Sequence, residues 1–264
     1  TRRTRRTNGG TGTTPTVSIS RRAGSVTLTP ASRTIRVRRA RKGAPPVSDE
    51  PDLANLYRQT MDRITELVSA PDVSVDTAVA ACPGWSVRDV LAHMAAVAQD
   101  WAAGRRAAPP NDEQTAAQVA RFDGRGLNDI LTAWAEAATE IPRLAREGIA
   151  PPLGDIVVHE HDIRDALGRP GARDSAALQR VSDQLLRMLV TPAPVRVIVE
   201  DGEYRCGPDG NSVIDLKTTR FEAVRWRTGR RSRSQMATMA WSGDPGPVLD
   251  SLYMFGPAAA DLVE

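Results

Sequence analysis

Gly154-Asp-Ile-Val-Val-His-Glu-His-Asp-Ile-Arg-Asp-Ala-Leu-Gly-Arg-Pro-Gly171 holds two of the three histidines of a 264-residue chain, His159 and His161, among acids and two arginines. Ile156, Val157, Val158, Ile163 and Leu167 supply apolar positions. Gly168 followed by Pro170 is a stop signal, so the stretch predicts a helix over 154–167. On such a helix Asp155 and His159 are four residues apart and share a face, one turn from each other. His161 turns to the other side, because two residues rotate the chain by about 200° at 3.6 per turn. A carboxylate and an imidazole at this spacing can hold one metal ion; His159 and His161 on one helix cannot.

Outward from this stretch, apolar periodicity predicts more helices. Leu53, Leu56, Tyr57, Thr60, Ile64, Leu67 and Val68 mark one over 51–70, ended by Pro71-Asp72. Ser86 with Asp89 three residues on is a capping-box variant, and Trp85 before it can serve as a hydrophobic staple. The helix they start carries Val87, Val90, Leu91, Met94, Val97, Ala98 and Trp101 as its buried stripe and closes at Gly104. His93 borders that stripe. Residues 107–111, with Pro109-Pro110, read as a loop. Leu127 to Leu144 predicts one helix bent near Pro142. Ser175 to Val190 predicts a fifth segment with Leu178, Val181, Leu185, Leu186 and Leu189 inward. Four or five amphipathic helices on modest loops indicate an antiparallel bundle.

Composition changes at Thr191-Pro-Ala-Pro194. Val195–Glu200 alternates as a strand, Asp201-Gly202 turns, Tyr204 starts a return strand, and Val213–Leu216 is a third. Thr219–Thr228 and Ser232–Met239 read as helices split by Gly229-Arg230-Arg231, with a last short helix over Val248–Phe255. This is a small α+β unit.

The formal charge of +3 hides an asymmetry. Residues 1–48 contain twelve Arg or Lys and no acid, leaving 23 basic against 32 acidic residues beyond them, about −9. The segment reads as a disordered Arg-rich tail or translated upstream sequence. A transit-type leader and a phosphate-binding arm are the rival readings. No aromatic residue precedes Tyr57, so base stacking has nothing to use and nucleic acid is not the expected partner. No apolar run suits a bilayer, and two cysteines, Cys82 and Cys206, are too few for a disulfide framework or a thiolate metal cage. A soluble cytoplasmic protein is expected.

Three segments together, Trp85-Ser-Val-Arg-Asp-Val-Leu-Ala-His93, Gly154 to Gly168, and Thr228-Gly-Arg230-Arg231-Ser with Trp241-Ser-Gly-Asp-Pro245, resemble the mycothiol-dependent maleylpyruvate isomerase family in order over about residues 50–264. The resemblance implies a mainly α chain: a DinB-like antiparallel four-helix bundle over 49–192, then a small α+β domain over 193–264. It implies a divalent metal, taken as zinc, on His93, Asp155 and His159, where Asp155 stands in place of the family's usual glutamate. It implies mycothiol as thiol cofactor, a small electrophilic substrate, and an arginine for the substrate carboxylates, here Arg230 or Arg231. Three ligands leave a fourth position open, as a catalytic site requires. The implied chemistry is addition of a thiolate to a cis double bond, rotation, and elimination to the trans isomer.

Blander readings stand beside these. Asp155 and His159 can be a helix-face hydrogen bond, and His93 a core histidine. Asp162, three after His159, can orient it or pair with Arg164. His161 and Glu160 read as exposed, and the cluster Arg225, Arg227, Arg230, Arg231 and Arg233 as a solvated face. Cys82 and Cys206 read as unreactive. A mycothiol S-transferase and a non-catalytic DinB-like binding protein, with or without metal, are the alternative functions.

Overall fold

Leu56, Tyr57, Ile64 and Val68 bury one stripe of α1, Leu53–Val68, and Asp52 caps it by accepting from the backbone of Ala54 and Asn55. The structure, a computed structural model, describes residues 52–106, 111–210 and 213–264. The expected tail and most of the Pro109-Pro110 loop lie outside the described residues. The next helix, α2, Val87–Ala102, starts with the full capping box of Ser86 and Asp89, a device worth about 1 kcal/mol. Then come α3, Asp112–Ala120, α4, Leu127–Ala138, and α5, Ile141–Arg146. The expected single bent helix is thus two. Pro142, which lacks an N–H, sits in the first turn of α5 and restarts the helix. Sequence periodicity missed α3, because Gln118 is its one buried residue.

The central stretch forms α6, Leu153–Ala166, and Gly168 ends it at φ +61°. After it comes α7, Ala176–Arg187, capped by Ser175. Helices α1, α2, α4 and α6 pack as the bundle, with α2 against α4 and α6, and α1 against α6. Inside it the Trp134 indole donates to the Tyr57 hydroxyl at 2.9 Å, so neither buried ring leaves a polar atom unpaired. Arg63 of α1 grips Glu160 of α6 with two hydrogen bonds of 2.6 and 2.8 Å.

The C-terminal unit is the expected α+β layer. Strands β1, Val195–Val199, and β2, Gly202–Cys206, form an antiparallel hairpin; β3, Ile214–Lys217, runs parallel to β1 on its other side. A two-residue strand β4, Ala240–Trp241, adds to β3 and gives the order β2-β1-β3-β4. Val195, Val197 and Val199 alternate inward, as period two requires. Between β3 and β4 lie α8, Arg220–Arg227, and α9, Arg233–Ala237. The last expected helix is only a 3₁₀ turn, Leu249–Ser251.

Two apolar clusters result, and α8 serves both. Phe221 and Val224 pack into the bundle core, while Ala223 and Trp226 pack against the sheet with Leu186 and Leu189 of α7 and its end. Among the described residues no helix is long and apolar enough to cross a membrane.

Candidate metal centre

Helix α2 presents His93 and α6 presents Asp155 and His159 to one point. His93 Nε2 lies 3.2 Å and His159 Nε2 3.7 Å from the same oxygen, Asp155 Oδ1. One ligand atom from each residue lies within 4.8 Å of the others. The two imidazole rings meet edge to face at 5.2 Å. Both histidines are buried, whereas the Asp155 side chain keeps 28 % of its surface exposed. The shorter aspartate therefore reaches both imidazoles and marks the open side.

His159 Nδ1 and Asp162 Oδ2 are 2.9 Å apart. An ionised Asp162 can only accept, so Nδ1 carries the proton and Nε2 is left as the ligand nitrogen facing Asp155. Asp162 in turn accepts from Arg225 at 2.7 Å and from Arg230 at 2.8 Å. Burial opposes its charge, but Arg230, Arg225 and the His159 contact overwhelm that cost and hold its pKa well below the carboxylate range. Asp162 thus orients His159, as one of the two expected roles had it. Arg164 pairs with Glu160 instead, at 3.1 Å.

Burial works against charge on His93, yet Asp155, through its charge and hydrogen bond, and Gln118 beside the ring raise its pKa. For Asp155, desolvation raises the pKa, and His93, His159 and Arg230 together pull it below its ordinary value. Trp85 tilts over His93 with ring centres 5.4 Å apart. It also lines an open groove of about 510 Å³ with Asp76, Val79, Pro83 and Asp89.

A second group, Cys82, His159 and Asp162, also has ligand spacing. It is a poorer cage. Asp162 is already neutralised by two guanidinium groups. Burial, then the charge of Asp162, pushes the Cys82 thiol up to about 12. With a donor set of two imidazoles and a carboxylate, one of them partly open, His93, Asp155 and His159 fit a borderline divalent cation such as zinc.

Arg230 stands at this site. Its guanidinium is held by Asp162 and by the Thr228 carbonyl, at 2.6 Å for the latter, and its side chain is 14 % exposed. Arg231 is committed elsewhere, to Glu222 at 2.7 Å and Glu264 at 3.0 Å.

Several blander expectations are corrected. His161 and Glu160 are buried, not exposed. His161 stacks edge-on to Phe221 at 5.0 Å, and burial followed by the Arg225 charge drives its pKa down to about 3. Arg225, Arg227 and Arg231 are buried as well: Arg225 donates to Asp162 of α6, Arg227 to the Leu252 carbonyl and Arg231 to Glu264. Sequence reasoning also missed Gln118 and the arginine pair on Asp162. For the helix bearing Gln118 a signal existed: Asn111 and Gln114 form a capping box.

Residues 57–152 match the family model of the mycothiol maleylpyruvate isomerase N-terminal domain. Two solved structures are similar, one of the mycothiol-dependent maleylpyruvate isomerase and one of a histidine-to-alanine mutant of it. They share 15 % and 14 % identity with this chain, cover 69 % of it and 90 % of their own length, and superpose with a TM-score of 0.47. No curated protein matches.

Proposed function

We propose, for a chain whose residues 57–152 match the mycothiol maleylpyruvate isomerase N-terminal domain, an enzyme that needs a divalent cation and uses a small-molecule thiol, mycothiol, on an electrophilic acid. The reaction is a cis–trans isomerisation of the maleylpyruvate type. The thiolate sulfur bonds to one carbon of the double bond while the π pair moves onto the conjugated carbonyl oxygen; the resulting single bond turns, the pair returns to re-form the double bond, and the carbon–sulfur bond breaks to release the thiolate unchanged.

The observation that supports this reading most is the meeting of His93, Asp155 and His159 within 4.8 Å. These three residues would hold the cation, which when bound lowers the pKa of a thiol toward neutrality. The protein's own side chains supply orientation and charge. Asp162 keeps the proton on His159 Nδ1, and Arg225 and Arg230 keep Asp162 ionised so that it accepts rather than donates. Arg230, whose charge is felt at both His93 and Asp155, is assigned to the substrate carboxylate. Arg231 is assigned to holding the turn against Glu222 and Glu264. With its thiol pushed up to about 12, Cys82 does not compete as a nucleophile.

The test is metal analysis of the purified full chain beside His159→Ala, followed by turnover of a cis-enone acid with mycothiol. Stoichiometric divalent metal in the wild type, its loss in the variant, and a trans product that appears only with thiol are expected. A wild type with less than stoichiometric metal defeats the reading and leaves a binding module. Metal with a stable thioether product replaces isomerisation by S-transfer.

A further inference from the structure

The segment that follows the 3₁₀ turn, residues 256–264, belongs to neither apolar cluster, and Ala259, Ala260, Asp261 and Val263 are exposed. Polar contacts hold it along α9. Asp261 accepts from Ser232 and Ser234, and the Gln235 amide pairs with both backbone groups of Leu262, at 2.7 and 3.2 Å. Beyond them the chain sets one carboxylate inside: the Glu264 side chain is 2 % exposed, between Arg225 and Arg231. It grips Arg225 by one edge, accepting from Nε at 2.9 Å and from Nη2. A planar guanidinium held at two points is fixed in direction and in tilt. Its third nitrogen, Nη1, therefore points into α6, to Asp162 Oδ1 at 2.7 Å and the Val158 carbonyl at 3.3 Å. The other oxygen, Asp162 Oδ2, is left to His159 Nδ1, Arg230 and Cys82. Arg231, itself forked on Glu222, steadies Glu264 at 3.0 Å. Arg225 is 0 % exposed, so without Glu264 its Nε edge has no water to turn to. The remaining carboxylate in reach is Asp162, and a guanidinium fork on both its oxygens would compete with His159.

We propose that Glu264 is a positioning residue: by holding the Nε edge of Arg225 it confines that arginine to one oxygen of Asp162 and leaves the other to aim His159. The part of this that concerns a cation rests on the reading under Proposed function. A small cavity of about 80 Å³, walled by Glu264 with His161, Arg164, Asp165, Arg173 and Phe221, lies beside the carboxylate. Its room suits a formate ion, which carries the same group as the Glu264 side chain.

The test compares the full chain with Glu264→Gln and Glu264→Ala, by metal-free crystal structures and by zinc affinity from chelator competition. The glutamine offers one acceptor and sets an amide donor against the other guanidinium nitrogen. In both variants Arg225 is expected to turn its Nε edge onto Asp162 and to break the contact with His159. Zinc binding then weakens about 10-fold, the lower end of what losing an outer partner of a ligand costs. Excess formate, seated between Arg225 and Arg231 in Glu264→Ala, restores part of that affinity and leaves the wild type unchanged, which a loss of packing alone would not produce. A wild-type crystal structure with Glu264 away from Arg225 overturns the proposal whether or not any variant folds. So do variants that keep the His159–Asp162 contact, and a Glu264→Ala affinity that formate fails to raise. Zinc bound equally by all three chains overturns the proposal and spares the metal reading. If Arg225 turns as described but no chain binds zinc, the positioning role of Glu264 stands and the metal reading falls.

Discussion

Asp162 gathers four partners on one carboxylate: His159, Cys82, Arg225 and Arg230. Its side chain and that of Arg225 are both 0 % exposed, so neither charge has water to fall back on. Asp162→Asn removes the negative charge, leaving Arg230 with no carboxylate and Arg225 with Glu264 alone. It is expected to lower the unfolding free energy by about 3–5 kcal/mol in a urea titration, the cost of breaking a buried pair rather than its net worth. A loss under about 1 kcal/mol would mean that the arginines find other partners. Cys82 gives a second measurement. With its thiol pushed up to about 12, first by burial and then by Asp162, it should alkylate far more slowly in the native protein than in urea at mildly alkaline pH, as read by mass spectrometry. Equal rates would refute the burial argument. The candidate ligands were legible because Asp155 and His159 lie one turn apart on one helix and His93 sits in a motif. The arginines on Asp162 were not, since more than sixty residues separate each from it and nothing local marks the pairing.

Helix α6 shows why periodicity alone misread Glu160 and His161 as exposed. It is buried on all sides from Leu153 to Ile163 except near Gly154 and Asp155, so no polar face exists to be read as solvent-facing. Its charged positions are inside because they are paired, Glu160 by Arg63 and Arg164, Asp162 by Arg225 and Arg230. The long, strongly striped helices α1, α2 and α7 were readable to within a few residues, since their caps and breakers agree with their patterns. Between α8 and α9 the chain turns at Gly229, φ +81°, where an added Cβ would meet the Gly256 carbonyl oxygen at 2.7 Å. Gly229→Ala is therefore expected to cost more than about 1 kcal/mol, and to displace Arg230, its neighbour, from Asp162. Thermal melts check the first expectation. An unchanged melt would show that the turn relaxes freely.

The two apolar clusters share α8, and Arg225 on that helix reaches into α6. Bundle and sheet are thereby coupled, so urea should unfold residues 52–264 in one transition, with far-ultraviolet dichroism and tryptophan emission superimposable. Val224→Ala, on the bundle side, and Trp226→Ala, on the sheet side, should each move that single midpoint, by about 1–2 and about 3–5 kcal/mol respectively. Curves that split, with each variant moving only its own half, would make the clusters independent. A helix walled in on both flanks also has no private route of opening. Its amide protons can trade with deuterium only when the entire assembly comes apart, so in heavy water the slowest-exchanging peptides should come from residues 223–227, and their rate should read out the global stability directly.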